Sequence, residues 1–395
     1  MEHAGRNANH EGSIRYREKQ GYWEGRYTVL GKQKSVYART REECAKELRT
    51  ILGKIDNGDY IEESAITVNQ WLETWLREYA ATTHRPSTYQ IELKVVRLHL
   101  IPAMGQIKLQ KLRPDHVQAF VNGQVRKGFA SATIKRQLSV LRVALGQAEE
   151  NDMIRRNPAS KTRLPKLDQK DIRPLSADEQ QRLLAALPDN TYGRAIRFIM
   201  GTGLRVSELC GLRWCDLEGN GFRVNQVTYC MTRGVVDDSC GEVDTLRGDS
   251  ALRITCPPKT KAGKRYIPLT LKLRAVLEAQ RLCQKQERLR AGSAWVGGEP
   301  GIGEQYIFAT AVGTPVERHN IGRRLESCMK KAEVEKRGVH ALRHTFATNW
   351  VQQGGDLRTL SEILGHTKVA FTMQQYVHSD NDVKMKWMEK MEGLV

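Results

Sequence analysis

Gly338-Val339-His340-Ala341-Leu342-Arg343-His344, then Leu364-Gly365-His366, then Thr372-Met373-Gln374-Gln375-Tyr376: the reading of this chain turns on these three boxes. Spacings of three and four residues put His340, Arg343 and His344 on one face of a helix. Gly355 interrupts the pattern, and Leu357, Leu360, Ile363 and Leu364 rebuild an apolar helical stripe that stops at Gly365. Taken singly, each polar residue here has an ordinary structural use, since a histidine pair can cap and brace a helix. His340 and His344 also form an H-x-x-x-H pair, as in zinc proteases. Ala341 stands where the general-base glutamate would be, however, and no third ligand is suggested.

Upstream, Gly201-Thr202-Gly203-Leu204-Arg205-Val206-Ser207-Glu208-Leu209 adds a second arginine at a helix start. In this order the four boxes resemble the tyrosine recombinases, or phage-type integrases, strongly from about residue 170 onward and loosely before it. The resemblance implies that Arg205 is the first catalytic arginine, that His340 and Arg343 form the H-x-x-R box, that His366 belongs to the leucine-glycine-histidine box, and that Tyr376 is the nucleophile. It also implies a catalytic lysine on the turn between the second and third strands of a small sheet. That turn is Pro258-Lys259-Thr260-Lys261-Ala262-Gly263-Lys264-Arg265, where the lysine-threonine pattern favours Lys259, with Lys261 and Lys264 as rivals.

Composition points the same way. A formal net charge of +18 over 395 residues suits a polyanionic partner, nucleic acid or an anionic membrane surface. No apolar run is long enough to span a bilayer and Met1-Glu2-His3 opens no apolar signal core, so nucleic acid is favoured and no membrane is expected. Eight cysteines without C-x-x-C spacing read as reduced thiols in a cytosol, mostly packing as small apolar residues.

The fold class expected is multidomain and mainly α. Residues 1–60 read as a small three-stranded sheet (Ser13–Arg17, Tyr22–Leu30, Gln33–Ala38) backed by a helix that opens with the capping box Thr40-Arg41-Glu42-Glu43. Arg15, Arg17, Lys32, Lys34 and Arg39 are placed on its exposed face, free for phosphates or base edges unless they merely solubilise a minimal fold. The module resembles the arm-type DNA-binding domain of integrases. Residues 61–165 read as all-α, with helices near Thr67–Tyr79, from Ser87 to a break at Pro102-Ala103-Met104-Gly105, Pro114–Lys127 and Ser131–Asn151. Lys94, Arg97, Lys135, Arg136 and Arg142 are assigned to the DNA backbone, against the alternative of a solvated face. In the family this is the core-binding domain, and Asn157 to Lys166 reads as an exposed hinge. Residues 166–395 form the catalytic domain, mostly α with a small antiparallel sheet from Phe222–Tyr229, Leu252–Cys256 and Arg265–Leu269. A polar insertion runs from Cys230 to Ser250. In the tail, Val383, Trp387, Met391 and Leu394 lie near helical spacing, to pack at home or on a neighbouring protomer.

The function so expected is site-specific recombination by the integrase of a mobile element, through a covalent 3′-phosphotyrosyl intermediate. Two arginines would hold the phosphate oxygens as bidentate forks, so no metal or cofactor is expected. The partners implied are double-stranded DNA at crossover and arm sites, four protomers on that DNA, and accessory excision or DNA-bending proteins, in a bacterial cytoplasm at the nucleoid. The rivals are a chromosome-dimer resolution recombinase, a type IB topoisomerase and a DNA-binding regulator without catalysis.

Overall fold

The computed structural model describes residues 12–29, 31–57, 60, 62, 64–166, 173–232, 243–244, 251–298, 306–367 and 370. They fall into two compact units, residues 1–168 and 169–395.

The first unit opens with antiparallel strands β1 (Ser13–Arg17), β2 (Tyr22–Val29) and β3 (Lys32–Ala38), in that spatial order. Helix α1 (Arg41–Asp56) follows, with the expected capping box closed by Thr40 and Glu43. It packs on one face of the sheet, where Gly25 leaves room: a methyl group there would stand 3.0 Å from the Cys44 sulfur. Then comes α2 (Val68–Thr74), which continues through a wider-turned segment (Trp75–Ala80) into α3 (Ala81–Thr83). Next, α4 (Pro86–Val95) runs on through Val96–Leu100 into α5 (Ile101–Met104). The break expected over Pro102-Ala103-Met104-Gly105 therefore falls at the end of that stretch and not at Pro102. Proline has no N–H to give, and the widened turns just ahead of it absorb that loss, so the helix ends only at Gly105. Helices α6 (Pro114–Arg126) and α7 (Ser131–Glu150) complete the bundle, and the Trp71 indole N–H donates to the Ala144 carbonyl at 2.9 Å inside it.

The hinge expected over 157–166 is instead packed onto these helices. Ala159 is buried, Asn157 donates to the Arg142 carbonyl at 2.8 Å, and the Gln118 side chain exchanges bonds with the Arg163 backbone. These polar side chains satisfy backbone groups that a solvated linker would leave to water.

The second unit carries helices α8 (Ala177–Ala186), α9 (Thr191–Thr202) and α10 (Val206–Cys210). It continues through β4 (Leu217–Glu218), β5 (Gly221–Val224), β6 (Val227–Thr232), β7 (Val243–Asp244), β8 (Ala251–Cys256) and β9 (Arg265–Pro268), then α11 (Leu271–Ala291), α12 (Arg318–Lys331), α13 (Val339–Gln352) and α14 (Leu357–Leu364). The strand expected over Phe222–Tyr229 is two strands. Between them Asn225 donates to Asp216 at 2.8 Å and Gln226 to the Gly211 carbonyl at 2.9 Å, side-chain bonds that compete with the ladder and bend the chain. The single sheet expected is thus two antiparallel three-stranded sheets, β4-β5-β9 and β6-β8-β7. The lysine turn joins β8 of one to β9 of the other, and β7, from within the polar insertion, pairs with the edge of β8. Phe198 centres the core, with the rings of Phe222 and Phe308 at 5.6 and 5.5 Å. Arg337 forks onto Glu179 with two bonds of 2.8 Å and so fixes the segment that enters α13.

Candidate active site

Two helix ends meet at the site. Helix α9 gives way to Gly203 at φ 66° and α14 to Gly365 at φ 65°, the left-handed closure that glycine adopts without strain. Close packing adds to the demand for glycine at 203, because a methyl group there would lie 2.6 Å from the Phe346 ring. A helix end leaves carbonyls without intrahelical partners and concentrates negative partial charge.

Arginines take up that charge. Three consecutive carbonyls at the end of α14 each face a different guanidinium: Ile363 accepts from Arg265, Leu364 from Arg343 at 2.6 Å, and Gly365 from Arg205 at 3.5 Å. Arg343 also donates to the Gly203 carbonyl at 2.7 Å, clasping both helix ends, and stands 3.0 Å from His366 Nε2. It is 1 % exposed, whereas the Arg205 side chain is 37 % exposed. Beneath them Glu208, 2 % exposed, accepts from Arg205 at 2.8 Å and from both terminal nitrogens of Arg265 at 3.0 and 2.9 Å. Burial alone would raise its pKa, but Arg265 and then Arg205 hold it down to about 2, so it is a carboxylate at neutral pH.

His340 and His366 are each pushed down to about 4. Loss of hydration comes first for both; for His340 the next causes are His344 and the guanidiniums of Arg343 and Arg205, for His366 those of Arg343, Arg205 and Arg265. Both imidazoles are therefore neutral at pH 7, able to donate from one nitrogen and accept at the other. His344 packs edge-on to His340 at 4.9 Å, and among the described residues no group of three metal-ligating side chains includes them.

The structure thus brings together Arg205, His340, Arg343 and His366. Lys259, Lys261 and Lys264 are exposed on the β8–β9 connection, which touches the site through Gly365: a methyl group on Gly365 would stand 2.8 Å from the Ala262 carbonyl. Tyr376 and the tail residues Val383, Trp387, Met391 and Leu394 lie outside the described residues, as does most of the insertion. Glu208 and Arg265 went unassigned in the sequence. Glu208 was findable, because a glutamate three residues after Arg205 has capping-box spacing, and its carboxylate does accept from the Arg205 N–H at 2.9 Å. Arg265 gave no local signal.

Residues 173–382 match the phage integrase family, and residues 67–124 match its N-terminal SAM-like domain. The chain belongs to the phage integrase family. It is a tyrosine recombinase, an enzyme of site-specific DNA recombination. A relative named tyrosine recombinase XerC-like, from Caldanaerobacter subterraneus subsp. tengcongensis, is 26% identical over 92% of this chain and 92% of its own. In fold the recombinase is similar to the Tn1549 transposon integrase in complex with transposon right end DNA, with TM-score 0.65, 22% identity, and 83% of this chain and 100% of that one covered. It is also similar to a lambda integrase tetramer bound to a Holliday junction, with TM-score 0.56, 17% identity, and coverage of 95% and 99%.

The outlying cations divide. On the sheet face away from α1, Arg15 and Arg17 bond Glu24 at 2.9 and 2.7 Å, joined by Arg26 and Ser35. The carboxylate is only 3 % exposed although its face is open, and Arg17 foremost holds it well below the usual carboxylate range. Lys34 does not share that face. The two-residue alternation of β3 turns it to the other side, where it pairs with Glu62, and Lys32 has the same parity. Lys32 and Arg39 are exposed. In the helical part, Lys94, Lys135 and Arg136 are exposed without an ion pair among the described residues, and Arg97 is forked onto Glu73. Arg142 departs from its assignment to DNA: its guanidinium donates to the carbonyls of Ala159 and Thr162, both at 2.9 Å, so it works as a staple of the fold.

Proposed function

We propose that this recombinase is the integrase of a mobile element and that Arg205, Arg343, His340, His366, Lys259 and Tyr376 form its reacting centre. The observation that carries the reading is the arrangement of three guanidiniums at one helix end over a single carboxylate, with two neutral imidazoles beside them. Such a cluster has positive charge to spare and suits a phosphodiester whose non-bridging oxygens gain charge on attack. The Tyr376 oxygen attacks phosphorus, the phenolic proton passes to a neutral imidazole, the bond from phosphorus to O5′ breaks, and O5′ takes a proton from Lys259. The products are a 3′-phosphotyrosyl strand and a free 5′-hydroxyl. A second strand's 5′-hydroxyl reverses the step, so the bond is exchanged and not hydrolysed.

Arg205→Lys tests the fork. A lysine keeps the charge but cannot bond Glu208, Gly365 and a phosphate in one plane, so cleavage of a suicide substrate built from the element's ends should fall by roughly 10²–10³, the usual cost of one oxyanion donor. Activity within threefold of the parent would remove Arg205 from the role.

The three-part organisation, 1–60, 61–165 and 166–395, goes with this reading: an arm-binding module, a core-binding helical domain and a catalytic domain. The arginine face of the β1-β2-β3 sheet supports arm-site binding and favours an integrase over chromosome-dimer resolution. Arg15→Ala with Arg17→Ala in the full chain should weaken gel-shift binding to sites flanking the crossover and leave crossover binding unchanged. Equal binding to both sites would refute the assignment. Four protomers on two duplexes would cut all strands, a number supported by the lambda integrase tetramer bound to a Holliday junction. Work in the cytoplasm at the nucleoid, with excision or bending proteins as helpers, completes the proposal. No helix among the described residues is long and apolar enough to cross a membrane.

A further inference from the structure

We infer that Arg265 is a positioning residue for proton delivery: it fixes the β8–β9 connection that bears Lys259 against the backbone that bears His366 and the carboxylate that aims Arg205. The inference rests on the reading of Lys259 as the acid. Arg265 opens β9, and its side chain is 6 % exposed. Its donors go to three separate parts of the chain. Nε and one terminal nitrogen bond backbone carbonyls, Ile363 at the end of α14 and Gly263 within the connection, the latter at 3.0 Å; both terminal nitrogens bond Glu208.

Neutralising Glu208 needs only one cation, and Arg205 already supplies it. The extra bonds to Gly263 and Ile363 tie the connection to α14. The tie reaches Lys259 because the connection is closed on itself. A methyl group on Gly263 would lie 2.5 Å from Pro258 Cβ, and the Gly263 N–H donates to the Thr260 carbonyl at 2.9 Å. Holding Gly263 therefore holds Pro258, and Lys259 is the next residue. A planar guanidinium can serve four acceptors at fixed angles, which an ammonium cannot.

A loss at Arg265 should then fall mainly on one event, protonation of O5′ as its bond to phosphorus breaks, with a smaller loss from the charge cluster on any substrate. The test compares suicide duplexes with oxygen or sulfur at the bridging 5′ position, because a thiolate, the weaker base, leaves without a proton. Arg265→Gln and Lys259→Ala should each slow cleavage of the oxygen duplex by about 100-fold or more, the span of general acid catalysis, yet cleave the sulfur duplex within about fivefold of the parent. If Lys259→Ala is rescued by sulfur and Arg265→Gln is slowed equally on both duplexes, the positioning role is overturned while the acid reading stands. If Lys259→Ala is not rescued, both fall. Should Arg265→Gln fail to fold, Arg265→Lys replaces it: a partial defect on oxygen with full rescue by sulfur supports the inference, and equal slowing on both overturns it.

Discussion

Tyr376→Phe is expected to bind DNA with the parent's affinity and to form covalent adduct slower by on the order of 10⁴-fold or more, the scale of deleting a nucleophile. The substitution keeps the ring and removes only the attacking oxygen. A phenol with a reference pKa of about 10 is ionised in roughly one copy per thousand at neutral pH, so the parent itself depends on its surroundings to take the proton. The neutral imidazole of His340 provides for that, since it has a nitrogen able to accept, whereas His366 Nε2 already accepts from Arg343. Adduct is read on a denaturing gel with a suicide duplex, and binding on a native gel. Adduct that persists in the variant would assign the nucleophile to another residue.

Arg343→Met should lose both activity and stability. The side chains are of comparable length, but methionine offers no donor, so the carbonyls of Gly203 and Leu364 lose their buried partner and His366 loses its neighbour. Each orphaned acceptor costs about 1–3 kcal/mol, partly offset because a charge need no longer be buried, so a net loss of about 2–4 kcal/mol is expected as a lower urea midpoint. Cleavage should fall at least ~10³-fold, since a guanidinium is removed from where charge develops and the two helix ends it clasps are freed. The pKa of His366, which Arg343 helps to lower, should rise toward the ordinary histidine value in an NMR titration. Cleavage within tenfold of the parent would show that Arg343 serves the fold alone.

Much of this was legible in the chain itself. Apolar spacing, as in Leu357, Leu360, Ile363 and Leu364, and the capping box of Thr40 with Glu43 located helices, because helix formation draws on residues within four of one another. The boxes around Arg205, His340, Arg343 and His366 named four side chains that do converge, because each residue type is tied to a chemical task wherever the chain puts it. What the sequence left open was how each cation is used. Arg142 and Lys34 read as free for DNA, yet one staples a following segment and the other pairs with Glu62.

Tertiary structure alone decided those partnerships, and the reason is sequence distance. Arg265 finds Glu208 across 57 residues and Ile363 across 98, while Arg343 reaches Gly203 across 140. A charge has no periodicity and leaves no mark on its neighbours in the chain. Whether it faces water, a carboxylate or a helix end is settled only when separate elements meet and every buried carbonyl must find a donor.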